Sequence, residues 1–316
     1  MRILITGSAG FIGYHLTKSF LEDGYEVYGI DNLNDYYDTK LKKSRLNILK
    51  DYENFSFKEL DISNYNDLEK IIKSFEPQRI VNLAAQAGVR YGILNPKAYL
   101  ESNMIGFYNI LELCKHYDIE GLIYASSSSV YGGNKSIPFN TTHKTEKPLS
   151  LYAATKKSNE LMAYAYNSLF NINVTGLRYF TVYGPWGRPD MAYYLFTEKI
   201  LNGKPINVYN NGQMQRDFTF IDDIVHGTRN AIEKNFSYEI FNLGNNRSEN
   251  LMDLIYLIEK NLGKKAKINF LPMQPGDVKI TFADISHSKD RLGYSPKVKI
   301  DQGLKEFIDW YTYFIA

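Results

Sequence analysis

Arg2-Ile3-Leu4-Ile5-Thr6-Gly7-Ser8-Ala9-Gly10-Phe11-Ile12-Gly13 is the stretch that decides the fold. A short apolar strand, Arg2 to Thr6, runs straight into a glycine turn and then into an amphipathic helix that the spacing extends to about Glu22. In that order the missing side chains of Gly7, Gly10 and Gly13 let a pyrophosphate approach the backbone, and the helix amino terminus faces its charge. The same glycines would also serve an ordinary tight turn, and the next strand of the chain separates the two.

That second strand, Glu26 to Ile30, ends in Asp31, about 20 residues beyond the glycines, where a carboxylate can take both ribose hydroxyls of an adenosine. Asn32 follows, and no Arg or Lys appears before Lys40. A carboxylate with no cation beside it repels a 2′-phosphate, so NAD is expected over NADP. Asp61-Ile62, after the alternating run from Phe55 to Leu60, either borders the adenine in the same way or caps a helix over Asn66 to Phe75. Arg79 to Leu83, Gly121 to Ala125 and Val174 to Tyr179 read as further buried strands between amphipathic helices. That alternation predicts an α/β fold with a Rossmann-type doubly wound parallel sheet. Such a sheet places its ligand at the carboxyl ends of its strands, and Gly7, Asp31, Ala84 and Ser127 all fall at such ends.

After Arg178 the rhythm breaks. Gly184 to Pro189 is loop chemistry, a helix from about Met191 to Asn202 follows, and Thr219 to Lys234 with Tyr238 to Gly244 reads as a return to the sheet. Leu251 to Leu262 and the loop Leu271 to Asp277 read as a smaller lobe. The expected division is a Rossmann domain over 1–178, rejoined around 217–245, and a smaller α/β substrate-binding lobe in 179–316.

The chemistry concentrates in Ser126-Ser127-Ser128-Ser129-Val130-Tyr131-Gly132 and Tyr152-Ala153-Ala154-Thr155-Lys156. Tyr152 and Lys156 lie four residues apart in a segment, Leu151 to Leu169, that reads as helix, so both face one side. An ammonium there favours the phenolate of Tyr152, whose reference pKa is about 10. On its own the pair would also suit a solvated helix face. The serine turn adds a hydroxyl and no carboxylate, and the pair can remove a proton from a sugar hydroxyl while hydride leaves the same carbon.

The glycine spacing, Asn82-Leu83-Ala84-Ala85-Gln86, Ser127, Tyr152 and Lys156 together resemble the extended short-chain dehydrogenases/reductases, in that family's order and over essentially the whole chain. Asn82 departs from the His that many members carry. Within the family, the runs from Ala85 to Tyr91, from Leu151 to Lys157 and from Arg178 to Ala192 resemble the UDP-glucuronate 4-epimerases. The resemblance implies NAD held by the turn residues Gly7, Gly10, Phe11, Ile12 and Gly13. It implies further contacts from Asp31, Asn32, Asp61 and Ile62, from Leu83, Ala84 and Ala85, and from Asn103, Tyr152, Lys156 and Tyr179. Ser127 takes the hydroxyl role beside carbon 4, Tyr152 that of the base, and Lys156 holds the nicotinamide ribose and lowers the phenol's pKa.

For the substrate, the resemblance implies diphosphate contacts from Arg90 and Arg216 and a place for Asp277 in the site. A uronate carboxylate would meet the hydroxyls of Ser128, Ser129 and Thr181, with Arg188 either supplying a positive charge or pairing with Asp190 as a loop anchor. The implied reaction is NAD-dependent epimerisation at carbon 4 of a UDP-sugar, UDP-glucuronate to UDP-galacturonate. Epimerisation of a neutral UDP-hexose or UDP-N-acetylhexosamine keeps the same catalytic residues, and a further alternative is an NAD-binding sensor module without turnover.

Composition is consistent with a soluble globular protein: 316 residues, 44% apolar, net charge +2. Balanced charge leaves no nucleic-acid footprint. Lys40, Lys42, Lys43 and Arg45 read as a solvated helix face. No apolar run approaches the roughly 20 residues of a membrane span, and Met1 to Ile5 leads into the glycine turn rather than a cleavable signal, so a cytoplasmic, non-membrane protein is expected. Cys114 is the single cysteine and the five histidines are scattered, so neither a disulfide nor a metal is expected. The helices Ala98 to His116 and Leu151 to Phe170 are apolar over more than one face. In relatives such a pair forms a four-helix contact, so a homodimer is expected unless the chain's own lobe covers them.

Overall fold

The computed structural model describes residues 1–274 and 278–315, and Asp277 lies outside the described residues. Seven strands form one parallel sheet: β1 (Arg2–Thr6), β2 (Glu26–Asp31), β3 (Phe55–Glu59), β4 (Arg79–Asn82), β5 (Gly121–Ser127), β6 (Val174–Tyr179) and, after four short strands, β11 (Tyr238–Leu243). Their order across the sheet is β3-β2-β1-β4-β5-β6-β11. Order reverses between β1 and β4, so the crevice of a doubly wound sheet opens above those two strands.

Both faces of this sheet are apolar, as a parallel sheet covered on both sides requires. Ile3, Ile5, Val27, Val81 and Ile123 point into one cluster, and Leu4, Ile30, Ile80 and Leu122 into the other, which is the period-two alternation of a strand. On the first face lie α1 (Phe11–Glu22), α2 (Thr39–Lys50) and α9 (Ile221–Lys234). On the second lie α3 (Tyr65–Phe75), α6 (Phe107–His116) and α7 (Leu151–Phe170). Cys114 is buried there, as a small hydrophobe is expected to be.

The remaining elements gather over the carboxyl ends of the strands. β7 (Thr181–Tyr183) pairs with β10 (Phe218–Phe220), β8 (Ile206–Val208) with β13 (Ile268–Phe270), and β9 (Gln215–Arg216) with β12 (Glu249–Asn250). Helices α8 (Ala192–Leu201), α10 (Leu251–Leu262) and α12 (Ile300–Ile315) pack beside them, and α11 (Ser286–Leu292) lies on β11. Their side chains, among them Leu254, Ile258 and Phe307, belong to the same hydrophobic cluster as Ile3 and Ile5. One core therefore runs from the first strand to the last helix.

Two local expectations change. Asn64, not Asp61, caps α3, its side chain accepting from the Asp67 amide, and the helix begins at Tyr65. The helix expected over Ala98 to His116 is the end of α5 (Pro96–Tyr99), a widened π turn over Leu100–Gly106 and then α6, with a further short helix, α4 (Tyr91–Leu94), before them. Tertiary bonds sustain that turn: the Asn103 carbonyl accepts from Asn159 Nδ2 at 2.7 Å, and its side-chain amide bonds Gln86 and Thr155. Among the described residues no helix is long and apolar enough to cross a membrane.

Candidate active site

A cleft of about 760 Å³ lies over the carboxyl ends of β1, β2, β4 and β5 and under the smaller lobe. Its floor begins with the glycine turn. Gly7 adopts φ +71°, and a Cβ there would come within 2.8 Å of the Ala84 amide nitrogen. A Cβ at Gly13 would overlap the Gly7 carbonyl oxygen, so α1 can start this close to β1 only without side chains. No side chain caps the amino terminus of α1. Its free N–H groups therefore face the cleft, and this cradle fits a dinucleotide diphosphate.

Asp31 ends β2 at the cleft, with Oδ1 accepting from the Leu33 amide at 2.9 Å. Asn32 donates to Asp61 Oδ2 at 2.7 Å, while Asp61 Oδ1 accepts from the Ser63 amide and hydroxyl. Burial would raise the Asp61 carboxyl, but these three donors hold it below the usual carboxylate range. Ile62, Leu83, Ala84, Ala85, Phe11, Ile12 and Tyr179 also line the cleft. Asn82 supports Ala84 from behind through Thr6, whose hydroxyl donates to Asn82 Oδ1 at 2.7 Å and accepts from the Ala84 amide at 3.1 Å. Asn103 is buried and braces the Gln86 backbone, which lines the cleft.

Of the cations read as a solvated face of α2, Lys40 and Lys43 are exposed, but Lys42 and Arg45 are not. Lys42 and Arg45 are buried, because Lys42, Arg45, Leu46 and Leu49 follow the three-four spacing that puts them on one helix stripe facing the protein. Lys42 Nζ donates to Asn34 Oδ1 at 2.9 Å and lies 3.6 Å from Asp31 Oδ1, so Asp31 does have a cation beside it. Arg45 donates to the Ala9 carbonyl at 2.9 Å, to the Tyr37 hydroxyl at 2.9 Å, and to the Trp186 and Gly187 carbonyls at 2.6 and 3.2 Å. It ties the cofactor turn to the loop that carries Arg188. The apolar spacing of Leu46 and Leu49 was the signal that could have found both residues.

Ser150 caps α7, its hydroxyl accepting from the Ala153 amide at 3.1 Å, so Tyr152 and Lys156 stand in the first turns, at the cleft. Ser127, at the end of β5, lines the same cleft as Tyr152, and its hydroxyl shares a hydrogen bond with the Ser129 hydroxyl at 3.1 Å. Burial raises the Tyr152 phenol, with the Ser127 hydrogen bond and the Arg188 charge opposing it. Lys156 is 2% exposed and donates to the Ala125 carbonyl at 2.8 Å, and burial pushes its ammonium down to about 8.

Ser128, Ser129, Thr181, Arg188, Arg90 and Arg216 line the same cleft. Arg188 pairs with Asp190, Nε to Oδ1 at 3.0 Å, and Tyr36 donates to Asp190 Oδ2 at 3.1 Å. The Arg90 guanidinium sits over the Tyr209 ring, 5.1 Å from its centroid, joining the loop after β4 to the smaller lobe. Arg216 donates to the Gln215 and Lys279 carbonyls at 2.8 and 3.2 Å.

A parallel sheet whose glycine turn, acidic strand end and buried Ser-Tyr-Lys group all open on one cleft defines a Rossmann-type enzyme that works with a dinucleotide. Residues 3–244 match the NAD dependent epimerase/dehydratase family, and the chain belongs to it. It is 58% identical over 312 residues to an uncharacterized protein of Methanocaldococcus jannaschii, covering 98% of this chain and 95% of that one. It is 45% identical over 308 residues to the UDP-glucuronate 4-epimerase of Thermodesulfobacterium geofontis, covering 97% of this chain and 95% of the relative. The crystal structure of the Bacillus cereus UDP-glucuronic acid 4-epimerase, in complex with UDP-glucuronic acid and NAD, superposes with a TM-score of 0.95 at 38% identity, covering 99% of this chain and 100% of that one.

Lys42 generates a test of cofactor choice. Lys42→Met leaves Asp31 without its cation, so affinity for NADP is expected to fall about tenfold relative to NAD, the effect of 1–2 kcal/mol from one close charge. Titration of the cofactor-stripped protein with both dinucleotides measures it, and an unchanged ratio would show that the ammonium is spent on Asp31 and Asn34.

Arg188 generates a second. A cation beside a phenol lowers its pKa, so Arg188→Gln raises that of Tyr152 and moves the acid limb of the kcat/KM profile to higher pH. A limb at the same pH in the variant would mean that Asp190 already cancels the guanidinium at the phenol.

Proposed function

We propose that the protein interconverts UDP-glucuronate and UDP-galacturonate by oxidising and re-reducing carbon 4 of the sugar. The observation that carries this reading is the cleft around Tyr152: it presents Ser127, Ser128, Ser129 and Thr181, all hydroxyls, with no carboxylate in the turn, and the cation at its wall, Arg188, is already paired. The family and the named relatives support it.

Tyr152, as phenolate, takes the proton of the carbon-4 hydroxyl, with Ser127 hydrogen-bonding that oxygen and relaying the proton. NAD, held by the glycine turn and Lys156, would supply the hydride acceptor for carbon 4 and the donor to the opposite face of the ketone. Between the two transfers the sugar turns over in the cleft, and Tyr152 then returns the proton to the oxygen. Lys156, buried beside Ala125, is placed for the nicotinamide ribose, and the glycine turn, Asp31 and Lys42 for the adenosine diphosphate half. Arg90 and Arg216 meet the diphosphate of the UDP moiety, and residues 179–316 supply most of the substrate side.

A 4-keto uronate is a β-keto acid and loses carbon dioxide when its carboxylate bond aligns with the ketone. Ser128, Ser129 and Thr181 hold the carboxylate away from that alignment by hydrogen bonds, and the Arg188–Asp190 pair stands behind them without a bare charge. A dehydratase would need an acid at this turn.

Chromatography of products decides the reaction. The protein is expected to convert UDP-glucuronate to UDP-galacturonate without pentose, and UDP-glucose much more slowly. Tyr152→Phe is expected to keep NAD and substrate while losing about 100-fold in turnover. Conversion of UDP-glucose alone, or a fully active Tyr152→Phe protein, would overturn the reading.

The second reading concerns assembly, and its occupant is a second copy of the chain. Leu100, Ile105 and Tyr108 on the π turn and α6, and Leu161, Tyr164, Leu169 and Phe170 on α7, expose large apolar side chains on two adjacent helices. A patch made of two neighbouring helices closes on itself about a two-fold axis as a four-helix contact. Sedimentation is expected to give a dimer, and Leu161→Glu with Tyr164→Glu a monomer; a monomeric unmodified protein would refute it.

A further inference from the structure

We infer that Ser126, the serine before the catalytic one, is a positioning residue that works through a buried Glu160–Arg178 ion pair to hold Ser127 and Tyr152 together. The inference rests on the catalytic assignment of Ser127, Tyr152 and Lys156 made above.

Ser126 alternates with Ser127 along β5 and so points to the other side of the strand. It is 2% exposed and donates to Glu160 Oε1 at 2.7 Å. Glu160 lies on α7 in register with Tyr152 and Lys156, at successive spacings of four. Its carboxylate takes Arg178 in a fork, Nε to Oε1 at 2.8 Å and Nη2 to Oε2 at 2.9 Å, and Lys157 at 3.2 Å. Arg178 is the β6 residue directly opposite Ser126 in the ladder. Its third nitrogen donates to the Tyr131 hydroxyl at 3.0 Å, and Tyr131 donates to Asn242 Oδ1 on β11 at 2.7 Å.

Every element that carries the chemistry is thus tied to one carboxylate. Ser126 lies between Ala125, whose carbonyl holds Lys156, and Ser127, which lines the cleft with Tyr152. Tyr131 closes the turn of Ser128 and Ser129 at its far end. Burial would raise the Glu160 carboxyl, but Arg178, Ser126 and Lys157 hold it below the usual range, so it stays ionised. A buried pair of this kind adds little net stability compared with a well-packed apolar pair of the same volume. What it does is restrict geometry, because each charge is satisfied only when helix, strand and turn keep one arrangement.

Removing Glu160 would leave Arg178 buried without its counter-charge, and removing Arg178 would leave Glu160 with Lys157 alone, either at a cost to folding. The test therefore uses Ser126→Ala, which leaves Glu160 its Arg178 and Lys157 partners, and Tyr131→Phe, which keeps the ring. Each is assayed with UDP-glucuronate and UDP-glucose beside the unmodified protein. Both variants are expected to keep bound NAD, melting temperature and KM, and to lose about tenfold in kcat, the effect of a small misplacement of reacting groups. A crystal structure of NAD-loaded Ser126→Ala is expected to show the Ser127 hydroxyl displaced relative to the Tyr152 hydroxyl, compared with the unmodified protein. Unmodified kcat, or a loss of kcat that tracks loss of NAD and melting temperature, overturns the inference. The substrate reading fails separately, through which sugar the unmodified protein converts; if it converts neither, the crystal structure alone decides.

Discussion

The contact on which the rest depends is that between Gly13, in the first turn of α1, and the carbonyl of Gly7. A side chain at Gly13 would push the helix off the strand, and one at Gly7 would strike the backbone of Ala84. With both absent, α1 begins directly above the end of β1, its free amides aim at the cleft, and β4 closes in alongside. The parallel order of the sheet follows, since β2 and β4 both pair with β1 and both deliver their carboxyl ends to the same crevice.

The sheet was legible in the sequence because buried parallel strands are short apolar runs and their helices are amphipathic. The strand ends that carry Gly7, Asp31, Ala84 and Ser127 stand where alternation put them. Cations were harder to place. Lys42 and Arg45 look like two members of a charged helix face until Leu46 and Leu49 are aligned with them, and only then do all four fall on one stripe. What no local pattern reveals is the destination of such a side chain. Arg45 ends on carbonyls 141 and 142 residues further along the chain. The π turn at Leu100–Gly106 was equally hidden, since it is sustained by Gln86, Thr155 and Asn159 rather than by its own sequence.

Electrostatics in the cleft follows burial more than spacing. Tyr152 and Lys156 are neighbours on α7, yet each is shifted toward its neutral form by the loss of water around it. The opposing influences on the phenol are a hydroxyl from β5 and a guanidinium from the loop after β7, two elements that helix periodicity does not connect to Tyr152. Arg188 in turn is governed by Asp190, and Asp190 by Tyr36 from the loop after β2. The sugar side and the cofactor side of the cleft share these groups.

Arg45 carries the widest consequence. Because one guanidinium grips Ala9 on one side and Trp186 and Gly187 on the other, the two halves of the cleft are not interchangeable parts. A chimera that grafts a foreign second half after residue 178 would retain the glycine turn, the serine turn and the Tyr-Lys helix. It would still leave a fully buried cation facing carbonyls at the wrong height. Recombination within this architecture is limited by that clasp, so the useful crossover points lie outside the span from α2 to the loop it holds.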